Sequence, residues 1–224
     1  MKWMKKRKWI RLLSVALVAG ILTVGCGAKK DASGEEKTGT EKSETAKTES
    51  DATEDKTAIS GKHHVEINVK DYGTIKVELD ADTAPITVEN FMTLAEDGFY
   101  DGLTFHRIID GFMIQGGDPN GNGTGGSDTK IKGEFEGNGV KNDISHVRGT
   151  ISMARSSAND SASSQFFIVQ SDSQYLDGEY AGFGTVTEGM EIVDQICKDT
   201  PVQDSNGTVA AEDQPVIESV KVID

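Results

Sequence analysis

The chain has 224 residues, with 23 Lys and Arg against 37 Asp and Glu, and a net charge of −14. So acidic a protein would be repelled by nucleic-acid phosphates, which excludes the nucleic-acid-binding classes. Polar and apolar residues are unevenly spread, so not all of the chain can belong to a folded domain.

Residues 2–11, KWMKKRKWIR, carry six basic side chains and no acidic one, and the apolar run LLSVALVAGILTVG follows over 12–25. A basic start, a short apolar run and small residues before a break describe a secretory signal over residues 1–25. The run is short of the roughly 20 residues that span a bilayer. Cys26 stands directly after Val24-Gly25. This resembles the lipobox of bacterial lipoproteins, whose cysteine is lipidated and becomes the new N-terminus. The usual box has leucine three positions before the cysteine, where this chain has Thr23, with Leu22 one further back. The resemblance implies an extracytoplasmic protein anchored to the bacterial cell membrane by lipidated Cys26. Ordinary cleavage, giving a soluble secreted protein, is the alternative. Loss of residues 1–25 takes the net charge to −20, so lipid rather than charge would hold the protein at an anionic surface. Residues 26–61 hold no aromatic side chain and one large aliphatic, Ile59. Such a segment buries too little to offset its ordering entropy and reads as a flexible polar linker. With Cys26 lipidated, Cys197 has no partner for a disulfide and reads as a small buried residue on a helix.

The domain is expected over 62–224. VEINV (65–69) and IKVEL (75–79) alternate apolar and polar around the turn KDYG, a β-hairpin. Pro85 suits the first turn of a helix whose Val88, Phe91, Met92 and Ala95 make one apolar stripe, ended by Gly98. Short strands follow at 103–109, 112–116, 149–154, 165–170 and 182–186. A second helix fits EGMEIVDQICKD, with Thr187 as its cap, and a last strand covers 216–223. Seven or eight short strands with two helices suggest a mainly β domain, one closed or nearly closed barrel with capping helices.

FHRIIDGFMIQGGD, residues 105–118, sets Arg107 among large apolar side chains. A charge in such a place needs a partner or a role, and Gln115 on the next strand is the expected partner. His106, by strand alternation, should take the opposite face from Arg107 and be structural. DPNGNG (118–123) copies the first half of a calcium loop, but Thr129 stands where the bidentate Glu belongs. It reads as a glycine-rich surface loop. No Gly-Lys-Ser/Thr follows to make it a phosphate loop. His63, His64, His106 and His146 show no metal spacing, and His63 and His64 read as solvated. SSQFF lacks the G-x-S-x-G context of a hydrolase nucleophile. No metal or cofactor is expected.

FHRIIDGFMIQGGD, GTGG, GTISMARS, SSQFFIV and YLDGEYAGFGTVTEGMEIVDQI resemble the cyclophilins in order and spacing, from about His63 to Asp224. The resemblance implies a closed eight-stranded antiparallel β-barrel capped by two α-helices, with a groove on its outer surface. It implies peptidyl-prolyl cis-trans isomerase activity. Arg107 matches the family's catalytic arginine, Gln115 the glutamine that holds it and the substrate backbone, and Phe112 stands with them. Phe112, Met113, Phe167 and Leu176 match the proline pocket, and Ala154 and Arg155 the edge that pairs with substrate main chain. Well-known eukaryotic members have asparagine at the position of Arg155, tryptophan at that of Tyr175 and histidine at that of Tyr180. Tyr175 is expected to weaken cyclosporin binding while sparing catalysis, and Tyr180 to contact substrate. The implied partners are Pro-containing polypeptides, expected to be secreted proteins assisted in folding, and the protein is expected to be a monomer. The alternative is a non-catalytic Pro-peptide-binding or chaperone module on the cell surface.

Overall fold

The computed structural model describes residues 59–224. The expectations for residues 1–25, for Cys26 and for most of the linker lie outside the described residues. Within the segment read as linker, Ile59 packs against the core, and the Gly61 N–H donates to Asp82 at 2.8 Å.

β1 (Lys62–Val69) pairs antiparallel with β2 (Gly73–Asp80). Val65, Ile67 and Val69 on one strand and Ile75, Val77 and Leu79 on the other are all buried, as a period of two on a half-buried sheet requires. His63 and His64 lie on β1 and are only partly exposed. They stay in reach of solvent beside acidic groups: His63 Nδ1 is 3.3 Å from Asp224, and His64 Nε2 is 3.8 Å from Glu78.

α1 (Pro85–Glu96) starts at Pro85 and buries Val88, Phe91 and Ala95, with Met92 packed at the edge. Gly98 ends it in the left-handed region, φ 69°. The Gly98 N–H donates to Ala95 O and the Phe99 N–H to Leu94 O, at 3.0 and 2.9 Å, which satisfies the last carbonyls. The first turn is capped from far along the chain. The Glu134 carboxylate accepts from the N–H groups of Ile86 and Thr87 and from the Thr87 hydroxyl, a negative charge at the positive end of the helix.

β3 (Phe105–Ile109), β4 (Met113–Gly116), β5 (Thr150–Met153), β6 (Phe166–Val169), β7 (Gly182–Glu188), α2 (Met190–Asp199) and β8 (Ile217–Val222) complete the elements. Thr187 does not cap α2. β7 runs on through Glu188 to pair with Lys76, so Thr187 belongs to a strand, and Gly189 at φ 95° turns the chain into the helix. Cys197 is buried on α2, and burial pushes its thiol up to about 12, with Asp110 and Asp194 adding to the effect.

All eight strands form one antiparallel sheet in the order β3-β4-β6-β5-β7-β2-β1-β8. The sheet curls, but the edge strands β3 and β8 share no ladder. They touch at one bridge, Thr104 to Val216, flanked by hydrogen bonds from Phe105 N–H to Pro215 O and from Ile217 N–H to Leu103 O. The barrel expected as closed is thus joined at a single bridge. Its interior is filled by side chains: Phe91, Tyr100, Phe105, Phe166 and Phe183 are fully buried with ring centroids 5.0–6.1 Å apart. That packing leaves the outer surface for a ligand.

Candidate active site

β4 and β6 build the floor of the site. Met113 pairs with Val169 and Gln115 with Phe167, while Ile114 pairs with Ile168 and Gly116 with Phe166. Successive side chains point to opposite faces, so Ile114, Phe166 and Ile168 enter the core. Met113, Phe167 and Val169 form a separate buried cluster on the other face, against which Phe112, Ala154, Leu176 and Tyr180 pack.

A pocket of about 170 Å³ opens over that cluster. It is lined by Arg107, Phe112, Met113, Gln115, Ala154, Arg155, Phe167, Leu176 and Tyr180. The sequence-derived residues therefore converge, with one exception. Tyr175 does not line the pocket; its ring lies 6.0 Å from that of Phe112 and is largely exposed. A second, more polar pocket of about 410 Å³ adjoins the first and shares Gln115, Ala154 and Arg155 with it.

Arg107 lies directly across from Gln115 in the β3–β4 ladder. Its Nη1 donates to Gln115 Oε1 at 3.2 Å, as expected, and contacts Met113 Sδ at 3.9 Å. A second partner was not expected: Nε donates to the carbonyl of Asn206 at 2.8 Å. Among the described residues no acceptor takes Nη2. Burial lowers the Arg107 pKa, and Tyr180, Tyr175 and Asp204 oppose that shift; a guanidinium remains charged at neutral pH regardless. Asn206 is delivered by a tight turn. The Asp204 carboxylate accepts from the N–H groups of Asn206 and Thr208 and from the Thr208 hydroxyl. Gly207 presses this turn onto β3: the Ile108 N–H donates to Gly207 O at 2.8 Å, and a Cβ on Gly207 would collide with Ile108 O.

His106 does not follow simple alternation. The register shifts between Phe105 and Arg107, leaving His106 as the extra residue of a bulge. Its ring is buried, and neither nitrogen has a hydrogen-bond partner. Burial lowers its pKa, Asp118 opposes that shift, and Arg107 adds to it. Asp118 itself is occupied by the N–H groups of Asn120, Asn122 and Gly123, at 2.6–3.0 Å, which fastens the glycine-rich loop.

Two supporting residues escaped sequence reasoning. Gln165 accepts from Gln115 Nε2 at 2.9 Å and donates to Gly125 O at 2.8 Å, so a line of hydrogen bonds runs from Arg107 through two glutamines to the loop. Its only signal was its place two residues before Phe167 in SSQFF. His146 backs the pocket, stacked on Phe167 with centroids 6.0 Å apart. Its Nδ1 lies 2.9 Å from Asp177 and its Nε2 3.0 Å from the Ser152 hydroxyl. Burial lowers its pKa, and Asp177 only partly opposes this. The imidazole is therefore neutral at pH 7, donating to Asp177 and accepting from Ser152.

Ala154 and Arg155 follow β5. The Ala154 N–H donates to Gln165 O at 2.9 Å. The Arg155 N–H meets no acceptor among the described residues, so this edge is open for pairing.

Comparison with known proteins agrees with this geometry. The profile of the family described as "Cyclophilin type peptidyl-prolyl cis-trans isomerase/CLD" matches residues 64–222. Peptidyl-prolyl cis-trans isomerase B of Bacillus subtilis is 45% identical over 144 residues, covering 64% of this chain and 92% of its own. A peptidyl-prolyl cis-trans isomerase of Synechococcus elongatus is 50% identical over 123 residues, 54% of this chain and 80% of its own. A cyclophilin-type isomerase of Cryptosporidium parvum, crystallised in the presence of the dipeptide Ala-Pro, superposes with a TM-score of 0.63 at 32% identity, over 72% of this chain and 99% of its own. The chain belongs to the cyclophilin-type peptidyl-prolyl cis-trans isomerases.

Proposed function

We propose that the groove around Arg107 is where this isomerase turns X–Pro bonds. Rotation about a peptide C–N bond faces a barrier of roughly 18–20 kcal/mol, because resonance makes the bond partly double. No covalent bond need be made to lower it. In the twisted state the prolyl nitrogen is pyramidal and has regained its lone pair, and a donor aimed at it favours that state over both planar ones. Arg107 supplies the donor. The observation that carries this reading is a charged guanidinium held through Nε and Nη1, with Nη2 unclaimed among the described residues, on the rim of an apolar slot. Phe112, Met113, Phe167 and Leu176 grip the proline ring while the preceding carbonyl turns. Gln115 and the open edge at Ala154–Arg155 fix the substrate backbone. Tyr180 touches substrate as a wall of the slot. Tyr175 stands at its outer border, and its place there supports weakened cyclosporin binding.

A protease-coupled assay on an Ala-Pro peptide tests this. Wild type should exceed the uncatalysed rate, and Arg107→Ala should fall close to it. If wild type and Arg107→Ala both match the rate without protein, the enzyme reading gives way to a peptide-binding module.

The substrates are Pro-containing polypeptides, and the Ala-Pro dipeptide present with the Cryptosporidium relative supports that class. We place the protein outside the cytoplasm, held to the membrane through lipidated Cys26 and acting as a monomer on secreted proteins whose folding waits on X–Pro exchange. The basic and apolar segments before Cys26 support this placement. Partitioning of the full chain into the detergent phase, lost in Cys26→Ala, checks the anchor; equal partitioning of both refutes it. Slower refolding of secreted proteins in cells carrying only Arg107→Ala checks the role.

A further inference from the structure

The main chain of Arg155 borders the proline slot, but its side chain turns away into a site of its own. The guanidinium carbon lies 4.9 Å from the ring centroid of Phe135 and 4.9 Å from that of Tyr180. The planar cation is therefore flanked by two aromatic rings, a setting that suits a guanidinium, which can stack on them, better than an ammonium. Its fork is also engaged. Nε donates to the carbonyl of Glu179 at 2.9 Å, and Nη1 to that of Ser156 at 3.0 Å. The ion pair with Glu179 does not explain the burial. That carboxylate is 63% exposed and 3.3 Å away, whereas the Arg155 side chain is 12% exposed, and exposed pairs contribute little.

Tyr180 is what the arrangement holds. It belongs to the connection that leads into β7, and its hydroxyl has no hydrogen-bond partner among the described residues. Its ring meets Phe167 edge-on at 5.9 Å and His146 edge-on at 6.4 Å. Arg155 supplies the remaining support, and it ties down the carbonyl immediately before Tyr180 as well. Behind Arg155, Phe135 is fully buried next to Glu134, the residue that caps α1, so the brace rests on a rigid part of the fold.

We propose that the Arg155 side chain is a positioning residue that holds the Tyr180 ring as a preformed wall of the proline slot. This rests on the groove reading given above. A preformed wall removes an ordering penalty from binding and leaves the chemistry at Arg107 unchanged, so its loss should fall on KM rather than on kcat.

The test measures kcat and KM separately on an Ala-Pro peptide for wild type, Arg155→Ala and Arg155→Lys, at a temperature where circular dichroism shows each fully folded. Arg155→Ala should raise KM about fivefold with kcat within about twofold. Arg155→Lys keeps the charge but loses the plane and the fork, so its KM should stay at least about threefold above wild type. The proposal is overturned if KM of Arg155→Ala stays within about twofold of wild type, if Arg155→Lys restores the wild-type value, or if kcat falls in step with KM. An inactive wild type would instead bring down the groove reading, and this proposal with it.

Discussion

The two faces of the β4–β6 pair use the same backbone for opposite ends. On the inner face, Ile114, Phe166 and Ile168 find all their neighbours within the fold, and Phe166 meets Phe91, Tyr100 and Phe105 edge to face. On the outer face, Met113, Phe167 and Val169 make a cluster just as buried but much smaller, bordered by a pocket instead of a further layer. The outer cluster is a core that lacks its cover. In the groove reading proposed above a ligand finishes its contacts, so residues one step apart in sequence should divide between folding and binding.

Phe166→Ala should show the largest effect, a loss of about 3–5 kcal/mol of stability in chemical denaturation, with activity per folded molecule retained. The division between faces fails if Phe166→Ala raises KM as much as Phe167→Ala does. Arg107→Ala comes next: a hundredfold to thousandfold loss of kcat/KM, about 3–4 kcal/mol of transition-state stabilisation, with a denaturation midpoint near wild type. Gln165→Leu breaks the line of hydrogen bonds behind Gln115 and should lower kcat/KM about tenfold, the equivalent of about 1.4 kcal/mol. An unchanged rate would show that the glutamines act independently.

A smaller effect belongs to pH. Burial lowers the pKa of both His146 and His106 from the ordinary 6.5. Between those lowered values and 6.5 the unfolded chain binds protons that the folded chain does not, so stability rises with pH across that window and falls as pH drops below about 6.5. The slope is set by the difference in protons bound by the two states. Denaturation midpoints from pH 7 to 5 should fall less steeply for His146→Gln than for wild type; parallel curves would remove His146 from this account. The smallest effect is expected at an exposed ion pair that lines neither face. Arg148 forms a two-pronged pair with Asp194, at 2.8 and 2.7 Å, between side chains nearly half exposed. Arg148→Ala should change stability by less than about 1 kcal/mol and leave kcat/KM as it was.

What the sequence makes legible follows from range. The alternation of β1 and β2 and the stripe of α1 are local patterns, and each recovers its element with its buried face. The unbroken apolar run of β6, FFIV, already says that both its faces are covered, though not which one awaits a ligand. The groove residues are legible through their resemblance to a family, motif by motif. Four features are not. The hold of Asn206 on Arg107 uses a main-chain carbonyl 99 residues away, and a carbonyl leaves no mark on sequence. Glu134 caps α1 from 47 residues away, where helix-end rules that look at neighbours cannot find it. The misplaced cap at Thr187 and the bulge at His106 share a cause: strand pairing with a distant partner overrides the local pattern.

The pairing of β1 with β8 joins residues 65–69 to 217–222, the first strand of the domain to its last. β8 also packs on α1, and the sheet has a bare edge along β1 until that strand arrives. Until β8 is in place the domain is short of its native state. During that interval the bare β1 edge is the surface most open to pairing with another chain.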